Sequence, residues 1–173
     1  MNNEARVLLI TSRDTGRWII PKGNIDRHLT PWAAAAREAF EEAGVEGVLA
    51  SHVPLGFYPY FKRLRSGEPS AAMVEVYLMR VTDRWKQWPE KGERRLSWLL
   101  PGEAITVIQE PGAVPLLRRF AELLEWHSHA QRMGLDVNLQ HPAVKPPVQT
   151  RPTFCTVFRH RCKVYCCHDL KVK

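Results

Sequence analysis

The sequence predicts an α+β chain arranged as an α/β/α sandwich around a mixed sheet, followed by an irregular C-terminal tail. Three observations predict it. Short β-branched and aromatic runs alternate with two amphipathic helical patterns, one pair of runs is joined as a hairpin, and 45% apolar content over 173 residues is enough for one core.

Taken in order, "ARVLLITSR" reads as a strand that ends in the turn "DTG", and "RWIIPKG" as a second short strand stopped by Pro21 and Gly23. "NIDRHL" is loop. A helix follows, with Thr30 as its cap, Pro31 at its first position and Gly44 where a left-handed terminus is wanted. "VLASHVPLGFYPYFKRLR" and "AAMVEVYLMRVT", separated by the turn "SGEPS", form the hairpin. "RRLSWLLP" is another strand and "GEAITVI" a helical turn. "GAVPLLRRFAELLEWHSHA" is a second amphipathic helix with Val114, Leu117, Ala121 and Leu124 along one side.

Charge and cysteine both divide the chain near residue 130. Residues 1–133 hold 18 Lys and Arg against 16 Asp and Glu, whereas 134–173 hold 7 against 2, so most of the net charge of +7 belongs to the tail. All four cysteines (Cys155, Cys162, Cys166 and Cys167) are also there. Residues 1–130 therefore read as a nearly neutral domain that needs no disulfide, and 131–173 as a basic, Pro- and Cys-containing appendage in which only "FCTVFRHRCKVYCC" has strand character. Cysteines and histidines of "HRCKVYCCHD" are of zinc-binding types, but their spacing fits no zinc finger. No apolar run is long enough for a membrane helix, and "MNNEARVLLITSR" lacks the apolar stretch of a secretion signal, so the expected location is the cytoplasm, with no membrane partner.

The helix of residues 31–43 carries the candidate chemistry. On a wheel of about 100° per residue, Trp32, Ala35, Ala36, Ala39, Phe40 and Ala43 share one broad side. Glu38, Glu41 and Glu42 gather on the other, three and four residues apart, where like charges repel. Two readings are open: a solvated acidic face with Arg37 as partner, or a platform of oxygen ligands for a hard divalent cation.

The wider spacing separates them. "GNIDRHLTPWAAAAREAFEEAGV" resembles the Nudix box, in which a glycine is followed after five residues by Glu and after seven more by Arg-Glu-x-x-Glu-Glu-x-Gly. Gly23, Arg37, Glu38, Glu41, Glu42 and Gly44 match in register, with Ala39 and Val45 at apolar positions, and flanking segments extend the likeness over residues 5–126. Two departures stand out. Leu29 occupies the position of the first glutamate, for which Asp26 is a partial substitute, and the family's sheet has a strand before "ARVLLITSR", so the resemblance implies a Nudix-like sheet lacking its first strand.

The resemblance implies a pyrophosphohydrolase that uses Mg2+ or Mn2+ to cleave a phosphoanhydride in an anionic polyphosphate, by water attack on phosphorus. It implies Glu38 and Glu42 as metal ligands and leaves Glu41 as ligand to a second ion or as general base. Arg37 would orient a box carboxylate, the Lys22 carbonyl beside Gly23 is a further candidate ligand, and Glu75, Glu90 or Glu93 a downstream acid. "TSR" ahead of "RWIIPKG" looks like the diphosphoinositol and diadenosine polyphosphate branch, with Ser12, Arg13, Arg17, Lys22, Gly23, Lys62 and Arg63 lining an anion-binding mouth. Alternatives are an RNA 5′ pyrophosphohydrolase, which the near-neutral domain does not favour, and a non-catalytic binding module of the same fold.

Overall fold

Five consecutive apolar or β-branched residues, Val7–Thr11, form strand β1, and all five are buried, as a strand covered on both faces requires. The computed structural model describes residues 5–63, 69–134 and 161–168, with 62, 63, 69 and 161–168 as backbone alone. β1 pairs antiparallel with β2 (Trp18–Ile19) through Ile10 and Ile19. The short strand β3 (Lys22–Asn24) ends the segment that leads toward helix α1 (Pro31–Ala43).

Both ends of α1 follow from local chemistry. Thr30 lies in an extended conformation and its hydroxyl accepts from the Ala33 N–H at 3.4 Å, while Pro31 opens the helix without needing a donor. At the other end Gly44 adopts φ 65° and its N–H reaches the Phe40 carbonyl at 2.9 Å. A Cβ at Gly44 would also lie 2.5 Å from the Trp88 ring, so glycine is required there for space as well as for conformation.

After α1 the chain makes β4 (Val45–Leu49), β5 (Gly56–Arg63) and the long β6 (Pro69–Arg84). β5 and β6 are the expected hairpin, in register from Gly56 opposite Val76 to Arg63 opposite Pro69. β4 covers the far half of β6, with a bulge between Glu46 and Gly47. Strand β7 (Leu96–Leu99) pairs with β1, and helices α2 (Pro101–Val107) and α3 (Val114–Arg132) follow, joined through a short 3-10 turn at Pro111–Ala113. The expected stripe on α3 is present but displaced: Leu116, Leu117 and Phe120 are its buried residues near the N-terminus, whereas Val114 and Leu124 are only partly covered.

All the described strands belong to one sheet, with the main path β2-β1-β8-β6-β4. α1 lies on one face, where Ala35, Ala39 and Ala43 pack with Leu8, Ile10, Tyr77, Met79 and Val81. On the other, Val7, Leu9, Ile20, Tyr58, Val74 and Val76 pack with Leu116, Leu117 and Phe120 of α3 and Ala104 of α2. The expected three-layer sandwich is thereby formed.

The tail departs from expectation in one segment. Strand β8 (Arg161–His168) lies inside the sheet, parallel to β6 from Met73 opposite Arg161 to Arg80 opposite His168. Its other edge is antiparallel to β3, with Gly23 opposite Lys163, and touches β1 at Val7. This stretch is not an appendage: the run from Arg161 to His168 contains no glycine or proline and can complete both neighbouring ladders. Among the described residues no strand precedes β1, and β8 fills the slot between it and β6. Residues 135–160, also assigned to the tail by sequence, lie outside the described residues.

A chain ended after Gly134 would leave β3 and one edge of β6 without their shared partner. Thermal unfolding followed by circular dichroism should then show a broadened transition at lower temperature; a melting curve identical to that of the full chain would show that β8 contributes nothing to the fold.

Candidate active site

Alternation along β3 divides two neighbouring residues between the two faces of the sheet. Gly23 faces α1, and a Cβ there would fall 1.9 Å from the Glu38 carboxyl carbon and 2.0 Å from one of its oxygens. The Glu38 carboxylate therefore sits directly on the backbone of β3, in space that only glycine leaves open. Lys22 faces the other way. Its ammonium forms a buried ion pair with Glu110, which also accepts from the Tyr58 hydroxyl at 2.9 Å, and it lies 4.9 Å from the centre of the Tyr60 ring.

Glu42 is the best-connected carboxylate. Although the helical wheel groups it with Glu38 and Glu41, it is 5% exposed. Its Oε2 accepts from the Lys22 backbone N–H at 2.7 Å, and its Oε1 is ion-paired with the equally buried Arg94. Arg94 also donates to Glu90 Oε2 at 2.7 Å and to the Thr11 carbonyl at 3.0 Å. Burial is the main reason the Glu42 carboxyl is pushed up to about 7, opposed by Arg94 and the Lys22 N–H. Burial likewise raises the Glu38 carboxyl, with the neighbouring charge of Glu41 next in weight.

Arg37 ties the more exposed carboxylates together. Its guanidinium lies 3.6 Å from Glu38 Oε1, 3.6 Å from Glu41 Oε1 and 3.3 Å from Asp26 Oδ2. Asp26 also accepts from the His28 N–H, and these two donors hold its carboxyl below the usual range, the His28 bond being the stronger influence. The acid that contacts Arg37 from the loop is thus Asp26, while Leu29 closes a turn by donating its N–H to the Asp26 carbonyl at 3.1 Å.

Glu38, Glu41, Glu42 and Glu90 supply the hard oxygen donors that a divalent cation of the magnesium type takes. Among the described residues no three acidic, histidine or cysteine side chains form a ready cage. The reason is visible: two guanidinium groups stand among the carboxylates, Arg37 between Glu38 and Glu41, Arg94 between Glu42 and Glu90. Donor chemistry and the glycine cradle fit such an ion, with the arginines as the positive charge that keeps mutually repelling carboxylates together.

The expected anion-binding mouth is only partly assembled. Arg13 reaches the edge of the cluster, 3.2 Å from Glu90 and 3.3 Å from Glu93. Ser12 and Arg17 are occupied within their own turn: the Ser12 hydroxyl accepts the Arg17 N–H at 3.1 Å, and Arg17 Nε donates to Thr15 at 2.9 Å. Lys22 is corrected outright as a substrate-facing side chain, because strand alternation sends it to Glu110 on the opposite face. Lys62 and Arg63 hold positions on β5, but their side chains lie outside the described residues. Of the three downstream acids, Glu90 adjoins the box carboxylates and its N–H donates to the Glu41 carbonyl at 3.0 Å, whereas Glu75 is buried and accepts from Tyr77. Arg94 and Glu110 were not singled out by sequence; nothing in "GERRLSWLL" or "IQEPG" distinguishes a buried arginine or glutamate from a surface one.

Two outcomes follow. Gly23→Ala should displace Glu38 and weaken Mn2+ binding, measured by electron paramagnetic resonance, at least tenfold while the far-ultraviolet spectrum stays native; unchanged binding would mean that the cradle has no part in holding the ion. Because Glu42 binds its proton more tightly when folded (about 7) than its ordinary value of 4.5, metal-free protein should lose stability as pH rises from about 4.5 through 7. Mg2+ favours the carboxylate and should reduce that loss in urea titrations at pH 5 and 8; a stability that climbs over this range without metal would contradict the assignment.

Comparison with known proteins bears on the same residues. The Nudix domain family matches residues 1–124. "Nudix hydrolase 12, mitochondrial" of Arabidopsis thaliana is 27% identical over 160 residues, covering 90% of this chain and 77% of that one. "Nudix hydrolase 16, mitochondrial" from the same plant is 30% identical, covering 79% and 75%. The human "Diphosphoinositol polyphosphate phosphohydrolase 3-alpha" is 33% identical over 109 residues; the match covers 61% of this chain and 62% of that protein. With a glycine cradle, a box arginine and three box glutamates assembled where the sequence pattern requires them, the chain belongs to the Nudix hydrolase family.

Proposed function

We propose that the chain is a magnesium- or manganese-dependent pyrophosphohydrolase that cleaves a phosphoanhydride bond in a dinucleoside polyphosphate or a diphosphoinositol polyphosphate, and that it works in the cytoplasm. The observation that carries the reading is the seating of Glu38 on Gly23, with Glu41, Glu42 and Glu90 beside it. Likeness to the human diphosphoinositol polyphosphate phosphohydrolase supports the substrate class.

A bound divalent cation supplies positive charge to the anhydride oxygens and lowers the pKa of water. Glu38, Glu42 and Glu90 would hold it. Glu41, with a side chain 38% exposed, is the most accessible of the box carboxylates and takes the proton of the attacking water. Arg37 orients Glu38 and Glu41, a positioning role that its contacts to both support. Carbonyl and carboxylate contacts around the buried Arg94 side chain keep Glu42 and Glu90 in place as substrate charge arrives.

The test is a panel of diadenosine polyphosphates, diphosphoinositol polyphosphates and 5′-triphosphorylated RNA, each with Mg2+ or with EDTA. Phosphate or nucleotide release should require the metal, and Glu41→Gln should lower kcat by about 10²–10⁴ while the melting temperature is retained. Absence of metal-dependent release from every substrate would overturn the enzymatic reading, and release from RNA alone would replace the substrate class.

A further inference from the structure

The segment between α2 and α3 grips three strands from the face opposite the box carboxylates. Gln109 holds β2 twice: its N–H donates to the Trp18 carbonyl at 2.8 Å, and its side-chain oxygen accepts the Trp18 N–H at 3.1 Å. Glu110 holds β3 through the Lys22 ammonium and β5 through the Tyr58 hydroxyl, with one carboxylate oxygen for each. Gly112 rests on the Tyr58 ring, which a Cβ there would meet at 2.5 Å. The grip is itself rigid. Pro111 confines Glu110 to an extended backbone, observed at φ -124° and ψ 95°, and the Glu110 carbonyl closes the 3-10 turn by accepting the Ala113 N–H at 3.0 Å.

Lys22 is where this grip meets the carboxylates. Its side chain runs to Glu110, while its backbone N–H donates to Glu42 Oε2 at 2.7 Å and the next residue is the glycine on which Glu38 sits. β3 is only three residues long, and among the described residues its ladder runs along one edge, to β8. Pairing of that kind leaves a strand free to roll about its ladder. A roll would swing the Lys22 N–H away from Glu42 and shift Gly23 beneath Glu38 in the same movement. Glu110 opposes it: the Lys22 and Glu110 side chains are 10% and 6% exposed, so separating them would leave two charges buried without partners. By the same desolvation argument the pair adds little net stability over apolar residues of similar size. Its contribution is to position.

We infer that Glu110 is a positioning residue for the candidate metal site: from the far face of the sheet, through Lys22, it sets the angle of β3 at which Glu42 and Glu38 are held for a divalent cation. This rests on the hydrolase reading proposed above and adds to it a residue that acts through the strand and not by contact with substrate.

The test uses the whole chain with Glu110→Gln, which keeps an acceptor for Tyr58, and with Lys22→Met/Glu110→Gln, which removes both charges and strands neither. Mn2+ affinity is read by electron paramagnetic resonance, stability of the metal-free protein by urea titration, and the Lys22 amide proton by nuclear magnetic resonance. Both variants should bind Mn2+ about tenfold more weakly, and the double variant should keep the wild-type urea midpoint. In metal-free Glu110→Gln the Lys22 amide proton should move upfield, as a lengthened bond to Glu42 requires. Wild-type affinity in the double variant, an unmoved Lys22 resonance, or a loss of affinity confined to a variant whose urea midpoint also falls would overturn the assignment, the last by making the network merely structural. None of these measurements needs turnover. Weakened Mn2+ binding with no substrate hydrolysed by wild type would uphold Glu110 and sink the hydrolase reading; wild-type turnover with metal affinity unchanged in both variants would do the reverse.

Discussion

Everything at the candidate site depends on how one buried carboxylate is held. Glu42 projects from α1 into the junction between helix and sheet, where it takes the Lys22 N–H from β3 and the guanidinium of Arg94 from the segment before β7. Arg94 in turn holds Glu90 and the end of β1 through Thr11. Four parts of the chain, α1, β3, the segment before β7 and the end of β1, are thus fastened at one point. A buried pair of this kind is a poor source of net stability, because desolvation of both charges opposes their attraction, yet removing one partner leaves the other uncompensated at a cost of about 3–5 kcal/mol. Its value lies in location: α1 cannot slide along β3 without breaking it.

Around that point, period-two geometry sorts the chemistry. Lys22 and Gly23 are adjacent, yet one serves the core beneath α3 and the other the surface beneath α1. The same division on β5 sends Tyr58 to Glu110 and Phe57 to the open face. A short polar network, Lys22 with Glu110 and Tyr58, therefore stabilises the strand from behind while its front receives Glu38. Site and support are built from alternating residues of the same strands, so a one-residue slip in either register would exchange their roles.

Much of this was legible in the sequence, for identifiable reasons. α1 could be read to the residue because its limits are local: a threonine hydroxyl for one free N–H, a proline at the first position, a glycine for φ near 65°. The box glutamates could be read because their spacing repeats the helical period. What was not legible depended on contacts between distant segments. Glu42 shares the wheel's charged side with Glu41, and only the approach of Arg94 and β3 makes one buried and the other open. Lys22 was grouped with the anion-binding mouth through the likeness of "TSR" and "RWIIPKG" to one branch of the family, and its strand phase was hidden in a segment only three residues long. The strand character of β8 was visible but its place was not, for a related reason: a strand that completes a sheet from far along the chain gives no local sign of which gap it will fill.

The guanidinium groups raise a final question of compatibility: whether carboxylates already satisfied by arginine can still serve a cation. Each carboxylate oxygen has two acceptor directions. On Glu42, Oε2 is used once by the Lys22 N–H and Oε1 once by Arg94, which leaves each oxygen one direction for another partner. Arg94 therefore need not leave its buried position, where its donors are spread over Glu42, Glu90 and the Thr11 carbonyl. Arg37 differs, being one-third exposed and 3.6 Å from both Glu38 and Glu41, distances at which it neutralises charge without occupying either carboxylate with a tight hydrogen bond. The buried arginine fixes and the outer arginine accommodates. That arrangement lets carboxylates which repel one another remain together before a cation and a polyphosphate arrive, and leaves them oxygen atoms with which to receive both.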